Sequence, residues 1–499
     1  MTAKPATRRH LVFVCLMLAM FMVAIEATVV ATAMPQIVAR LGGFSFYAWV
    51  FSAFLLTQTA TTVMFGKLAD LYGRKPVMIV GLVVFLAGSI LAGFSWSMGS
   101  LIGFRLLQGL GAGAIQPTVM TIVSDLYTLD ERRKTQSYMA SVWGVSAVIG
   151  PLAGAFIVQH ISWAWVFWIN VPVGVLAVGG LIAFLHEDVE HRQRPVDYVG
   201  ALLFATAVSA LLLAISPRAG SGILSHPLVF AVVFVVAAPL FFVWERRVRD
   251  PMMDIGLWSQ PVIATANAAT LAAGLGLIGL TACLPIYIQA VLGRSPIISG
   301  LTLTSMAVGW PIAATVSARV FLPRMGMRNT LRAGAVTVVA GGLAFPFLGS
   351  GEAGLWLSAG GAFLMGAGMG MMSYTAVLLL QASVDWSRRG AATASNVFAR
   401  LLGNTLGAAV MGAILNLGLR VAGAEVRPDQ VRALMDRHPG GAPVSVDAGL
   451  KAALGASLHG VFLAMFALTV LTLAAAWLMP QPDVEEPFRR RAAQPRPAE

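Results

Sequence analysis

The chain has 499 residues, of which 58% are hydrophobic and only 11% charged, with a mean hydropathy of +0.79. So little polar surface cannot cover a globule of that size in water, which excludes a soluble fold and leaves an all-α, multi-pass membrane protein. The formal charge of +12 comes from basic residues scattered in twos and threes between apolar runs, so it reads as a topology signal and excludes a nucleic-acid partner.

Taken in order, fourteen apolar stretches are separated by short polar turns: roughly 11–35, 47–69, 77–96, 100–123, 137–158, 164–186, 197–216, 228–245, 259–290, 299–321, 330–349, 355–380, 392–419 and 455–479. Each is long enough, at about 1.5 Å per residue, to cross or nearly cross roughly 30 Å of hydrocarbon. The first imitates a secretory signal through Arg8, Arg9 and the Ala31-Thr32-Ala33 site, but its length and the acid at Glu26 predict that it is retained. Cys15 and Cys283 lie inside apolar runs without metal-ligand or disulfide spacing, and they are expected to pack in the core.

Between the second and third stretches stands the block GKLADLYGRK, Gly66 to Lys75. It predicts a tight turn in which Gly66 and Gly73 allow close approach and reversal. Asp70 is placed to accept from the next helix's first amides or to pair with Arg74 or Lys75. Two readings stand, a solvated loop obeying the positive-inside rule and a charge cluster that locks one arrangement of two helices.

A cytoplasmic N-terminus gathers about two dozen of the 34 Lys and Arg residues on one side and puts both termini there. The one long external segment is then 420–454, and the Pro- and Arg-rich tail is expected to be disordered. Landmarks recur at an offset of roughly 250 residues: Pro35 with Pro285, each ending its helix; Gly66–Lys75 with a degraded Arg319–Arg328 that keeps Gly326; and Gly109, Gly111 and Gly113 with Gly366, Gly368 and Gly370. The expected organisation is a six-helix bundle over 1–190, an inserted helix pair over 191–255, a second six-helix bundle over 256–480, and a tail over 481–499.

Glu26 lies about fifteen residues into the first spanner, roughly 22 Å along it. Arg105 lies at a similar depth in a helix that enters from the opposite side. An ionised group there costs on the order of 3 kcal/mol unless it is paired or faces water, so the two are expected to face each other, either as a titrating pair or as a purely structural one. The second half has Ala362 and Pro323 where the first has Arg105 and Asp70. Its exception is Arg400, about one turn from Asn396 and Asn404, read equally as lining a substrate cavity or bracing a gate. Met365 and Met369 with Tyr374 complete that candidate cavity, while core packing is the competing reading for the methionines.

These stretches together resemble the major facilitator superfamily, and within it the fourteen-helix drug:proton antiporter branch, over about residues 10–480. Gly66, Asp70, Gly73, Arg74 and Lys75 match the signature loop between the second and third helices. Glu26 through Pro35 is similar to the first-helix motif, with Glu26 where an Asp is usual and Ala31 where an Asn is usual. Arg105 to Gly109 resembles the fourth-helix motif implicated in proton transfer. Gly144, Gly150, Pro151 and Gly154 resemble the antiporter motif of the fifth helix, with Ala155 in place of the usual last glycine. Trp163 to Gly174, WAWVFWINVPVG, resembles the entry to the sixth helix, with Ala164 in place of a common Arg.

The resemblance implies a major facilitator fold of six, two and six helices and a proton-coupled antiporter exporting amphipathic, cationic compounds. It would sit in a bacterial cytoplasmic membrane with both termini inside. Glu26 and Arg105 would serve proton coupling, with no cofactor or metal beyond the proton gradient. The partners implied are the bilayer, the substrate and protons, with a periplasmic adaptor left open. A dedicated metabolite exporter and a non-transporting receptor are the rival readings. No nucleotide loop, metal constellation or nucleophile with a base argues for an enzyme.

Overall fold

The computed structural model describes residues 8–127, 129–187, 197–215, 227–248, 255–349, 351–384, 389–422 and 448–481 and most of their side chains. Most of the expected external segment and all but the first residue of the expected tail lie outside the described residues. Within these bounds the chain is helical without strands, as a backbone in lipid must be when every N–H and C=O has to be satisfied inside its own segment.

The long helices are α1 (Arg9–Leu41), α2 (Tyr47–Tyr72), α3 (Arg74–Gly93), α4 (Met98–Leu126), α5 (Leu129–His160), α6 (Asn170–Phe184), α7 (Tyr198–Ile215), α8 (Pro227–Glu245), α9 (Pro261–Ile286), α10 (Pro296–Val316), α11 (Leu322–Gly342), α12 (Glu352–Ala382), α13 (Arg389–Val421) and α14 (Ala448–Trp477). Eleven stretches of the described residues are long and apolar enough to cross a membrane, one of them (Pro296–Phe347) joining α10 to α11. Inside α2 the hydroxyls of Thr59, Thr61 and Thr62 are returned to carbonyls one turn back, at 2.6, 2.6 and 2.7 Å, which satisfies these polar groups within the helix itself.

Two compact units emerge, one holding α1–α8 and the other α9, nearly all of α10, α11–α13 and most of α14. The inserted pair α7–α8 belongs to the first unit, where α7 packs on α2. In that unit α1 lies on α5, and α4 lies on both α2 and α3; in the second, α9 lies on α13 and α12 on α11. Small residues make these approaches close. A Cβ at Gly109 or Gly113 would strike α2 at Phe54, Thr57 or Thr61, and one at Gly111 would strike α3, while Gly366 and Gly370 face α10 and Gly368 faces α11 in the same alternation.

Two expectations about helix ends need correcting. Pro35 and Pro285 do not end their helices but lie inside them, since α1 continues to Leu41 and α9 runs on through a π-helical segment, Tyr287–Val291. A proline forfeits one backbone bond, and a packed membrane helix absorbs that loss by local adjustment and continues. The real breaks are glycines with positive φ. Gly73, at φ 93°, separates α2 from α3, and Gly326, at φ 77°, breaks the chain inside the α11 span, 253 residues further on. A side chain at either place would be strained, and so the degraded second copy of the loop keeps the glycine after losing the acid, with Pro323 where the first copy has Asp70.

Candidate functional site: a buried charge network in the first unit

Among the polar side chains buried in the first unit, five lie together where α1, α3, α4 and α6 meet. Glu26 on α1 and Arg105 on α4 are 0% and 2% exposed, so neither charge can be neutralised by water. They are joined directly, Arg105 Nη1 donating to Glu26 Oε1 at 2.5 Å. The same Nη1 donates to Gln108 Oε1 at 2.7 Å, and Arg105 Nε reaches the carbonyl of Val50 on α2 at 3.2 Å. Phe54 lies under the guanidinium at 4.2 Å, adding a cation–π contact on its flat face.

The carboxylate's second oxygen is also held. Asn170, the first residue of α6, donates to Glu26 Oε2 at 2.6 Å and reaches Ser89 Oγ on α3 at 3.3 Å. Gln108 closes the ring by donating to the same Ser89 hydroxyl at 2.6 Å. Five side chains from α1, α3, α4 and α6 thus form one connected network. Both of the carboxylate's bonds, to Arg105 and to Asn170, are charge-assisted, so each would weaken if Glu26 were protonated.

The structure brings together the two charges that their depth pairs in the sequence. Ser89 carries no role in the sequence reading, and Gln108 and Asn170 appear there only as members of the Arg105–Gly109 and Trp163–Gly174 runs, without a role of their own. The signal for Asn170 is the single amide in the apolar run WAWVFWINVPVG, which could have been found by asking where its donors go. The antiporter-motif glycines border the same helix: a Cβ at Gly150 would overlap Thr28 and one at Gly154 would overlap Thr32, both on α1. Pro151 is buried beside them in α5, and Gly144 lies nearly two turns earlier.

The signature loop is tied within the unit as well. Glu187, in the segment after α6, accepts from the free first amides of α3, Arg74 N at 2.9 Å and Lys75 N at 2.8 Å. Lys75 Nζ donates in return to the last carbonyls of α6, Ile182 O at 3.0 Å and Leu185 O at 2.5 Å. Arg74 Nε pairs with Asp125 at 3.3 Å. The Asp70 side chain and the surroundings of Gly66 lie outside those described.

In the second unit the candidate cavity residues divide. Asn396 is buried and spent on helix pairing, donating to Asn267 Oδ1 at 3.0 Å and Thr270 Oγ1 at 2.9 Å on α9. Met369 lies inside a hydrophobic core with residues of α9 and α11, and Met365 is equally buried. Tyr374 is exposed, while Arg400 and Asn404 are half-buried on α13. Among the described residues no group of His, Cys, Asp or Glu could hold a metal ion.

Fold and network define a multi-pass helical membrane protein with an ionisable pair inside one bundle, which is the class of secondary transporters and not of enzymes. A Major Facilitator Superfamily profile matches residues 16–408, and the chain belongs to that family. Among curated relatives, "Multidrug resistance protein 3" of Bacillus subtilis (strain 168) is 35% identical over 422 residues, covering 83% of this chain and 80% of the relative. "Multidrug transporter protein MdtP" of the same strain is 31% identical over 473 residues, covering 92% and 84%. Among solved structures, an auto-inhibited POT family peptide transporter superposes with a TM-score of 0.66 at 13% identity over 98% of this chain and 99% of its own, which shows the shared fold.

Proposed function

We propose that the protein is a proton-coupled antiporter that exports amphipathic, cationic compounds by alternating access from a bacterial cytoplasmic membrane, with both termini on the cytoplasmic side. The observation that carries this reading is the buried Glu26–Arg105 pair, since a structural tie of that kind is replaceable by apolar packing whereas a coupled exporter needs an acid whose charge can change within the span. The two Bacillus relatives with multidrug names support export of drug-like molecules as the task.

In this mechanism Glu26 takes up a proton from outside and releases Arg105 and Asn170, which frees α1 to shift on the small-residue contacts of α5. Loss of the proton to the inside restores the network. Exchange of one proton for one monovalent cation is electroneutral, so the pH gradient drives it and the membrane potential, worth about 2.3 kcal/mol per charge per 100 mV, contributes little. The test uses energised everted vesicles: addition of a lipophilic cation such as ethidium should release protons and partly collapse the pH gradient. Glu26→Gln should abolish that response while Glu26→Asp retains it. A Glu26→Gln protein that still exchanges ethidium for protons would refute the assignment.

A further inference from the structure

Arg400 is a guanidinium with no paired counter-charge among the described residues of its own unit. It sits on α13 about 8 Å inside the apolar stretch that begins at Ser395, counted at about 1.5 Å per residue. Among the described residues it makes no hydrogen bond and no ion pair, although its neighbours on the helix are committed: Asn396 is held by Asn267 and Thr270, and Ser395 accepts from Asn267 at 2.7 Å. The one acid among the described residues of this unit is Glu352, the first residue of α12. Since α12 leads from Glu352 to Ala382 and the chain then turns into α13 at Arg389, that carboxylate stands at the far end of the helical hairpin from Arg400.

A second unused donor stands beside it. Asn404 follows one turn later on the same face. Its Oδ1 is buried without a hydrogen-bond partner and is turned toward Gly274 of α9, where a Cβ would come within 3.1 Å of it. The amide nitrogen at the other side of that group makes no hydrogen bond among the described residues. A planar cationic fork and an amide donor one turn apart, in an apolar span and without an acceptor among the described residues, match the two oxygens of a carboxylate.

We infer that Arg400, with Asn404, is a subsite for a carboxylate on the transported molecule, so that the exporter accepts zwitterionic amphiphiles as well as simple cations. This rests on the export reading above. Arg400 supplies the charge and the bidentate geometry, and Asn404 positions the second oxygen. A lipid phosphate offers the same oxyanion chemistry, so the test separates the two.

The probes are a rhodamine dye with a free carboxylate and its methyl ester, which differ only in that group. Their binding is measured by fluorescence polarisation on the purified full chain in nanodiscs of zwitterionic lipid, with and without phosphatidylglycerol. The wild type should favour the carboxylate dye, and Arg400→Gln should lower the carboxylate-to-ester affinity ratio by about tenfold or more, the range of a hydrogen bond to a charged group. Arg400→Lys should keep part of the preference, because it retains the charge and loses the fork.

Equal affinities for both dyes in the wild type, or a ratio unchanged by Arg400→Gln, would mean that Arg400 is only a solvated side chain and would overturn the proposal. Loss of the preference when phosphatidylglycerol is present would assign the site to lipid and overturn it equally. Transport of the same dyes in proteoliposomes separates the two readings. Arg400-dependent carboxylate binding without proton-driven transport sinks the export reading and keeps the subsite, whereas transport of both dyes without a preference does the reverse.

Discussion

The two six-helix sets share their packing and differ in their chemistry. Gly150 of α5 sits against the carbonyl of Ile25 on α1, and Gly403 of α13 sits against the carbonyl of Leu271 on α9, with Gly154 and Gly407 repeating the contact one turn on at Val29 and Leu275. In that register the residue after Ile25 is Glu26 and the residue after Leu271 is Ala272; the counterpart of Arg105 is Ala362, and both alanines are buried. The second unit has replaced an ion pair by two methyl groups while keeping the small residues that let the helices touch. Contacts between helices are therefore a property of the repeat, whereas charge is a property of one copy. The lesson is that the fold needs no buried charge at these positions, so its presence in the first unit calls for a functional explanation.

The sharpest way to break this comparison is to remove one charge from the first unit. Arg105→Ala leaves Glu26 buried without its cation and should cost about 3–5 kcal/mol, seen as a large fall in the thermal midpoint of the detergent-solubilised protein. The neutral pair Glu26→Gln with Arg105→Gln should recover most of that midpoint and still release no protons on addition of drug. Recovery of both stability and proton release by the neutral pair would make the network structural, and the contrast between the units would lose its meaning.

An intermediate effect tests the shared half of the comparison. Gly150→Ala and Gly403→Ala each drive a methyl group into a facing helix, at Thr28 in one case and at the Leu271 carbonyl in the other. Each should cost about 1–3 kcal/mol, by similar amounts in the two units. A large loss in one and none in the other would show that the packing repeat is unequal as well.

The smallest effect belongs to the second unit's own charge. Arg400→Gln removes no ion pair or hydrogen bond seen among the described residues, and the thermal midpoint in the absence of ligand should move by no more than about 0.5 kcal/mol equivalent. A fall as large as that of Arg105→Ala would reveal a structural partner for Arg400 and make the two units chemically alike.

Much of this was legible in the residues themselves. Glu26 and Arg105 announce each other by depth, and the glycine triplets at 109–113 and 366–370 announce the repeat. The third member of the comparison, Ala272, was not legible, because the linkers differ in length and the offset between the halves drifts from 246 residues at Ile25 and Leu271 to 257 at Gly109 and Gly366. Only packing fixes which alanine stands for which acid. The helix ends at Pro35 and Pro285 were misread for a related reason: a proline rule drawn from local sterics does not include the neighbours that carry a membrane helix past it. Asn396 looked like a cavity residue by its nearness to Arg400, and its partners on α9 come from 126 and 129 residues away, beyond any local pattern.

The basic residues at the start of each third helix have a consequence for how the protein is made. Lys75 donates to carbonyls at the end of α6, and Arg328 and Arg332 donate to Met479, Ala476 and Trp477 at the end of α14. In the first unit donor and acceptor are separated by 107 residues, so at about 5–20 residues per second the lysine waits roughly 5–20 s for the ribosome to deliver its acceptors. Until then the nascent bundle has no clasp between its third and sixth members. The arrival of α6 thus completes this clasp in the first set, and a corresponding clasp made by two arginines is completed in the second when α14 is made.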